Sequence, residues 1–208
     1  MMLRFCSRFH LCGIKSIIHC RKNQPDVWDE LCDSLSVGKG LVIVTLTLFL
    51  YHFLQRGIIK RFCEEYKTEW ETKLQVKVIP ILEKLFGCQV KKEIRCYIGL
   101  YPTYMRNINR RFFLLPYGVS QERLNEIIIH ELSHFYCYEA CGDSLSSDKL
   151  WCLSEQIVPY IMRHILGVDK KSVCYAEEES IRERKIFCSW VKEQISFEEL
   201  LIALKQNE

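Results

Sequence analysis

A chain of 208 residues that is 49% hydrophobic and 26% charged has room for one ordinary domain and an appendage, and its apolar content excludes a disordered protein. The net charge of +3 excludes a basic platform for nucleic acid, so the short basic stretches Arg106–Arg111 and Arg182–Lys185 read as solvated faces. Twelve cysteines at irregular spacings, none in a Cys-x-x-Cys pair, exclude a small secreted disulfide scaffold and point to reduced, partly buried thiols in a cytoplasmic protein.

Residues 1–35 carry scattered basic residues and cysteines without a clear period. No apolar stretch precedes Leu41 and no small-residue cleavage site follows one, so a secretory leader is not expected. From Leu41 to Leu54 runs LVIVTLTLFLYHFL, uncharged between Lys39 and Arg56. As a helix those 14 residues would reach about 21 Å, short of the ~30 Å hydrocarbon core of a bilayer. The β-branched content fits a buried strand or a core helix equally well, and a short membrane anchor stays open because flanking residues can absorb the mismatch. Residues 1–57 are therefore read as an N-terminal segment and 58–208 as the main domain.

Beyond Gly57 the pattern is more regular. Phe62, Tyr66, Trp70, Leu74, Val78, Ile81 and Leu85 recur at helical spacing, predicting a helix that Pro80 should kink and Gly87 should end. Ile94, Cys96, Ile98 and Leu100 alternate with Arg95, Tyr97 and Gly99, the pattern of a half-buried strand. Arg111–Leu115 (RFFLL) is a second strand, ended by Pro116-Tyr117-Gly118. Ser120 can cap a helix from Gln121 to about Cys141, closed by Gly142, and Asp148 can cap a further one ending before Gly167. Ala176–Gln194 reads as helical, and Ser196 with Glu199 three residues on forms a capping box for a last short helix. The fold class expected is α+β, with several helices packed on a small sheet.

The string that carries chemistry is IIIHELSHFY, Ile127–Tyr136. Two histidines four apart leave the same face of a helix one turn apart, a separation that lets two imidazole nitrogens hold one tetrahedral Zn²⁺. Glu131 projects to an adjacent side. It can take a proton from a water activated by the metal, but is poorly aligned as a third ligand. The flanking residues Ile127, Ile128, Ile129, Phe135 and Tyr136 are uncharged, as a buried active-site helix requires. A strand lies just upstream, where a substrate backbone could pair by strand addition. The bland alternative is an amphipathic helix with two satisfied histidines.

With that motif the chain resembles the zincin superfamily of metallopeptidases over about Ile59–Leu204, in particular small bacterial zincin-like proteins. The motif helix carries the resemblance, and the rest is layout: helix, strand, His-Glu-x-x-His helix, later helix. The resemblance implies a catalytic Zn²⁺ held by His130 and His134, with Glu131 as general base. A metzincin-like pattern would put Gly at 137 and His or Asp at 140, where this chain has Cys137 and Ala140. The gluzincin-like pattern takes a Glu from a following helix, and Glu155 in LWCLSEQIVPYI is in the right place to be that ligand. Pro159 cannot donate to the carbonyl of Glu155, so a bend is expected there. Glu139, Asp143 and Cys137 are rivals for the third position. Tyr160, His164 and Tyr175 are available as oxyanion donors, with none assigned.

The reading is a zinc-dependent peptidase acting on a peptide or protein substrate, without nucleic acid as a partner. It is cytoplasmic, or anchored to a membrane through 41–54. Two alternatives stay open: a non-catalytic zincin-like binding protein, and a membrane-associated accessory protein.

Overall fold

The computed structural model of the chain describes residues 3–7, 17–18, 21–23, 25–35, 37–100, 105–142, 144–167 and 181–205. In chain order they form β1 (Leu3–Cys6), α1 (Pro25–Leu35), α2 (Leu41–Leu54), α3 (Arg56–Glu69), a π-helical turn (Trp70–Leu74), α4 (Gln75–Phe86), β2 (Ile94–Gly99), β3 (Arg106–Asn107), β4 (Phe112–Pro116), α5 (Gln121–Cys141), α6 (Ser147–Leu166), α7 (Ile181–Val191) and α8 (Phe197–Lys205). The expected α+β class is observed: eight α-helices and a four-stranded mixed sheet among the described residues. They divide into two compact units, one within Met2–Thr72 and Lys92–Leu124, the other within Lys73–Lys91 and Asn125–Glu208.

The first unit holds the sheet, in the order β1-β2-β4-β3. β2 lies parallel to β1 on one side, with Leu3 opposite Ile94, and parallel to β4 on the other, with Cys96 opposite Phe113; β3 closes the edge antiparallel to β4. Parallel neighbours on both sides explain a departure from the expected half-buried strand. Ile94 and every residue from Cys96 to Gly99 are buried, because a parallel strand is covered on both faces. Phe5 of β1 meets Tyr66 of α3 edge-on, with ring centroids 5.5 Å apart.

The N-terminal segment is thus part of the core. Residues 1–35, which show no period in the sequence, contribute β1 and α1. Trp28 and Cys32 of α1 pack with Val44 and Leu48 of α2. LVIVTLTLFLYHFL is a helix rather than a strand, and only Val44, Leu48 and His52 of it are buried. Among the described residues no single helix is long and apolar enough to cross a membrane; Leu41–Leu54 and the run Arg56–Phe86 pass together, as a pair bent by 68°.

The second unit is helical. α4 runs unbroken through Pro80 and ends at Gly87, whose φ of 63° is in the left-handed region where a side chain is strained. The single helix expected over Phe62–Leu85 is observed as a continuous run, Arg56–Phe86, with the π turn inside it. Phe86 sits among Tyr136, Trp190 and Phe197, with centroids at 6.0, 5.3 and 4.9 Å. Trp190 donates its indole N–H to the Leu85 carbonyl at 2.8 Å. These four aromatic rings, worth about 0.5–1.5 kcal/mol per pair beyond area burial, tie α4, α5, α7 and α8 into one body. The capping box of α8 is present: Ser196 N–H donates to Glu199 Oε2 at 2.7 Å, and Glu199 N–H donates to Ser196 Oγ at 3.2 Å.

Two details of α6 and α7 differ from expectation. The N-cap of α6 is Ser146, and Asp148 stands in the first turn, where its charge suits the helix dipole. The helix expected over Ala176–Gln194 is described from Ile181 to Val191, and residues 176–180 lie outside the described residues.

Candidate metal centre

α5 begins where Ser120 Oγ accepts the Arg123 N–H at 3.3 Å and continues to Gly142, whose φ is 51°. From Ile127 to Cys137 every residue is buried except His130. Such a helix is central rather than amphipathic, and it carries polar groups inward. Five polar or charged residues are buried among the described residues, and four of them, Glu131, Ser133, His134 and Ser154, fall on or beside the motif. Interior polar groups cost stability unless hydrogen-bonded, so the concentration of four in one place calls for a chemical reason.

α6 supplies the other wall. His134 Nε2 lies 3.0 Å from His130 Nε2, 3.6 Å from Glu155 Oε1, and His130 Nε2 lies 3.9 Å from Glu155 Oε2. The three side chains each offer one ligand atom, all within 4.8 Å of one another. The helix pair thus brings together His130, His134 and Glu155, the three residues expected as ligands. α6 is continuous through Pro159, and the peptide carbonyl of Glu155 receives no N–H from that proline.

Ser154 orients the pair. Its hydroxyl donates to the Trp151 carbonyl at 2.8 Å, which uses its single proton. At 3.0 Å from His134 Nδ1 its oxygen is placed to accept from an Nδ1–H, the tautomer that leaves Nε2 with a bare lone pair toward the centre. A metal-ligating histidine needs such a partner on its other nitrogen. Without a cation, a proton on His130 Nε2 satisfies the 3.0 Å contact.

Donor type and spacing fit zinc. Two imidazoles and one carboxylate are the ligand set of a catalytic zinc with one position open, and ligands at 2.0–2.1 Å from a common tetrahedral centre stand about 3.3 Å apart. The observed separations of 3.0, 3.6 and 3.9 Å straddle that value. Access is one-sided: the His130 side chain is 37% exposed, that of Glu155 15%, and that of His134 is sealed at 0%.

Glu131 is buried on α5 next to His130 and is not among the ligand atoms. Of the rival ligands, Glu139 is exposed. Cys137 donates its S–H to Cys141, which with burial holds the thiol well above its ordinary range. Asp143 lies outside the described residues. His164 is exposed on α6, Tyr160 packs on Phe187 at 5.2 Å, and Tyr175 lies outside the described residues. Ser154 escapes a reading of the sequence because its role is set by a partner 20 positions away; only its place directly before Glu155 hints at it. Burial pushes Cys88 up to about 11 and Cys63 up to about 12, keeping both as neutral thiols.

No protein-family model matches the chain, and no curated protein or solved structure does either.

Proposed function

We propose that the chain is a zinc-dependent hydrolase of the zincin, gluzincin-like type that cleaves peptide bonds, with His130, His134 and Glu155 as metal ligands and Glu131 as general base. The observation that carries this reading is the convergence of the three ligand atoms from two helices, with a buried carboxylate one residue after the first of them. A zinc ion held there would supply Lewis-acid polarisation of a water molecule and of the substrate carbonyl. Glu131 would serve as general base, accepting a proton from the attacking water and returning it to the leaving amine as the C–N bond breaks, so that the carboxylate would end as it began. Ser154 keeps His134 in the tautomer that a metal needs, and sealing His134 from solvent excludes competing water from the wall of the site. The partly exposed edge of His130 is where a substrate reaches the centre.

The test is metal content and peptide hydrolysis of the wild-type chain beside Glu131→Gln. The expected result is about one zinc per chain in both, with hydrolysis by the variant lower by about 10²–10⁴-fold, the range ascribed to a general base. Wild-type protein that holds no zinc after purification with zinc present ends the metal reading. Zinc in both with no hydrolysis by either leaves a metal-binding protein that acts on a partner without catalysis.

A further inference from the structure

α2 is built the wrong way round for a helix surrounded by water. Val42, Leu46, Phe49, Leu50, Phe53 and Leu54 are each at least half exposed. At about 100° per residue, they and Ile43 cover an outer arc of about 140°, which Tyr51 extends to about 200°. Val44, Leu48 and His52 form its buried strip, with Leu41 packed beside them. No charged residue interrupts the helix, and the Thr45 hydroxyl is folded back onto the Leu41 carbonyl at 2.7 Å, which hides its polarity. A helix apolar on all sides belongs in a protein core or in lipid, and soluble surfaces seldom keep so wide a patch uncovered.

We infer that α2 is a monotopic membrane anchor, its outer arc lying in the acyl layer of one leaflet and the basic residues just after it resting on anionic headgroups. Three observations favour lipid over a protein partner. A helix or groove from another chain, including a second copy of this one, covers a stripe about two residues wide, whereas acyl chains cover the whole arc. The charges are asymmetric. At the N-terminal end Lys39 is neutralised by Asp29 at 2.7 Å, while at the C-terminal end Arg56, Lys60 and Arg61 are exposed and no ion pair engages them among the described residues. Juxtamembrane basic residues are drawn to anionic lipid in this way. Tyr51, at the edge of the arc, is exposed near that same end, and a tyrosine ring settles at the level of the headgroups. Fourteen residues give about 21 Å of helix, enough to lie in one leaflet and too short to span a hydrocarbon core of ~30 Å. The 68° bend that follows turns the chain back out of the layer.

The test of this inference does not depend on the proposed function. Full-length protein in mild detergent is mixed with vesicles of phosphatidylcholine alone or of phosphatidylcholine with phosphatidylglycerol, the detergent is removed, and the mixture is floated through a density gradient at low and high salt. Wild-type chain should rise with both vesicle types and stay with them in high salt, with the larger fraction on the anionic ones. Leu46→Glu with Phe53→Glu, both on the exposed arc, should cut the floated fraction at least tenfold. Arg56→Gln, Lys60→Gln and Arg61→Gln together should reduce flotation on anionic vesicles to the neutral level. Should the double variant misfold by circular dichroism, Val42→Lys and Leu54→Lys, at the two most exposed positions, carry the same readout. Wild-type protein left at the bottom of both gradients overturns the inference. So does binding to anionic vesicles alone that salt releases and Leu46→Glu with Phe53→Glu spares, since that is surface attraction without insertion. A detergent-free wild-type dimer that the double variant converts to monomer, without flotation of either, overturns it in favour of a second copy.

Discussion

α5 and α2 are both rich in Ile, Leu and Phe, and each breaks the usual rule for a helix in the opposite sense. From Ile127 to Cys137, α5 is interior and carries Glu131, Ser133 and His134 into that interior. α2 carries no charge and holds most of its large side chains out in the open. An exposed leucine or a buried isoleucine alone says little. A buried polar group or a wide exposed apolar face does say something, because each costs free energy in the folded chain unless something else compensates. On α5 the compensation is within reach: Ser154 and Glu155 come from the neighbouring helix, and the proposed cation would complete the set. On α2 the outer arc stays exposed, and the anchor inferred above would supply the compensation from a lipid layer. The less apolar of the two helices is the buried one, so burial and not hydrophobic content tells where each is under tension.

The largest effect that sharpens this contrast is removal of a ligand. His134→Ala should lower zinc affinity by more than about 100-fold, beyond the range for outer-shell partners, and strip the metal on dialysis, measured by elemental analysis. His130→Ala should do the same, and Glu155→Ala should weaken retention clearly. Glu139→Ala, exposed two residues before the end of α5, should leave zinc unchanged. Equal losses from Glu139→Ala and Glu155→Ala would mean that the buried polar groups of α5 are compensated by something other than this centre.

Next in size is a matched pair of leucines. Leu132, on α5, is 0% exposed, and Leu50, on α2, is 56% exposed. Leu132→Ala leaves a cavity and should cost about 2–5 kcal/mol of unfolding free energy, whereas Leu50→Ala should stay within about 0.5 kcal/mol. Urea unfolding without lipid measures both. A large loss at Leu50 would show that the outer arc of α2 is covered within the folded chain, and the contrast between the helices would disappear.

How much of this was legible in the sequence divides along the same line. α5 and the capping box of α8 are local devices: Ser120, the Ile-rich run and Gly142, or Ser196 and Glu199, announce themselves within a few residues. The cluster of His130, His134 and Glu155 was legible because the two histidines share a helix turn and Glu155 stands on the next helix. β1 was not, since Leu3–Cys6 gains meaning only by pairing with Ile94–Tyr97, far along the chain. α1 had a signal that passed unread. Pro25 opens it, and Trp28, Leu31, Cys32 and Leu35 keep helical spacing. For Leu41–Leu54 the composition is apolar at every phase, so no period separates strand from helix, and nothing local tells which side meets the core. The tautomer of His134 was invisible for the same reason as β1, being set by a residue on another element.

That last dependence gives the smallest and most discriminating test. Ser154→Ala removes the acceptor for His134 Nδ1–H, freeing the ring to turn or to take the wrong tautomer, while all three ligands remain. Loss of an outer-shell partner costs about 10–100-fold in metal affinity, which is about 1.4–2.7 kcal/mol, and competition with a fluorescent zinc chelator resolves a change of that size. Ser133→Ala is the control that isolates the cause. Ser133 is as buried as Ser154, at 0%, and neighbours His134, but its hydroxyl donates to the Ile129 carbonyl of its own helix at 2.7 Å and touches no ligand nitrogen in doing so. If the tautomer governs affinity, Ser154→Ala should weaken zinc binding and Ser133→Ala should not. Equal effects would mean that buried hydroxyls near the motif act through packing alone, and the assignment of Ser154 as a positioning residue would be wrong.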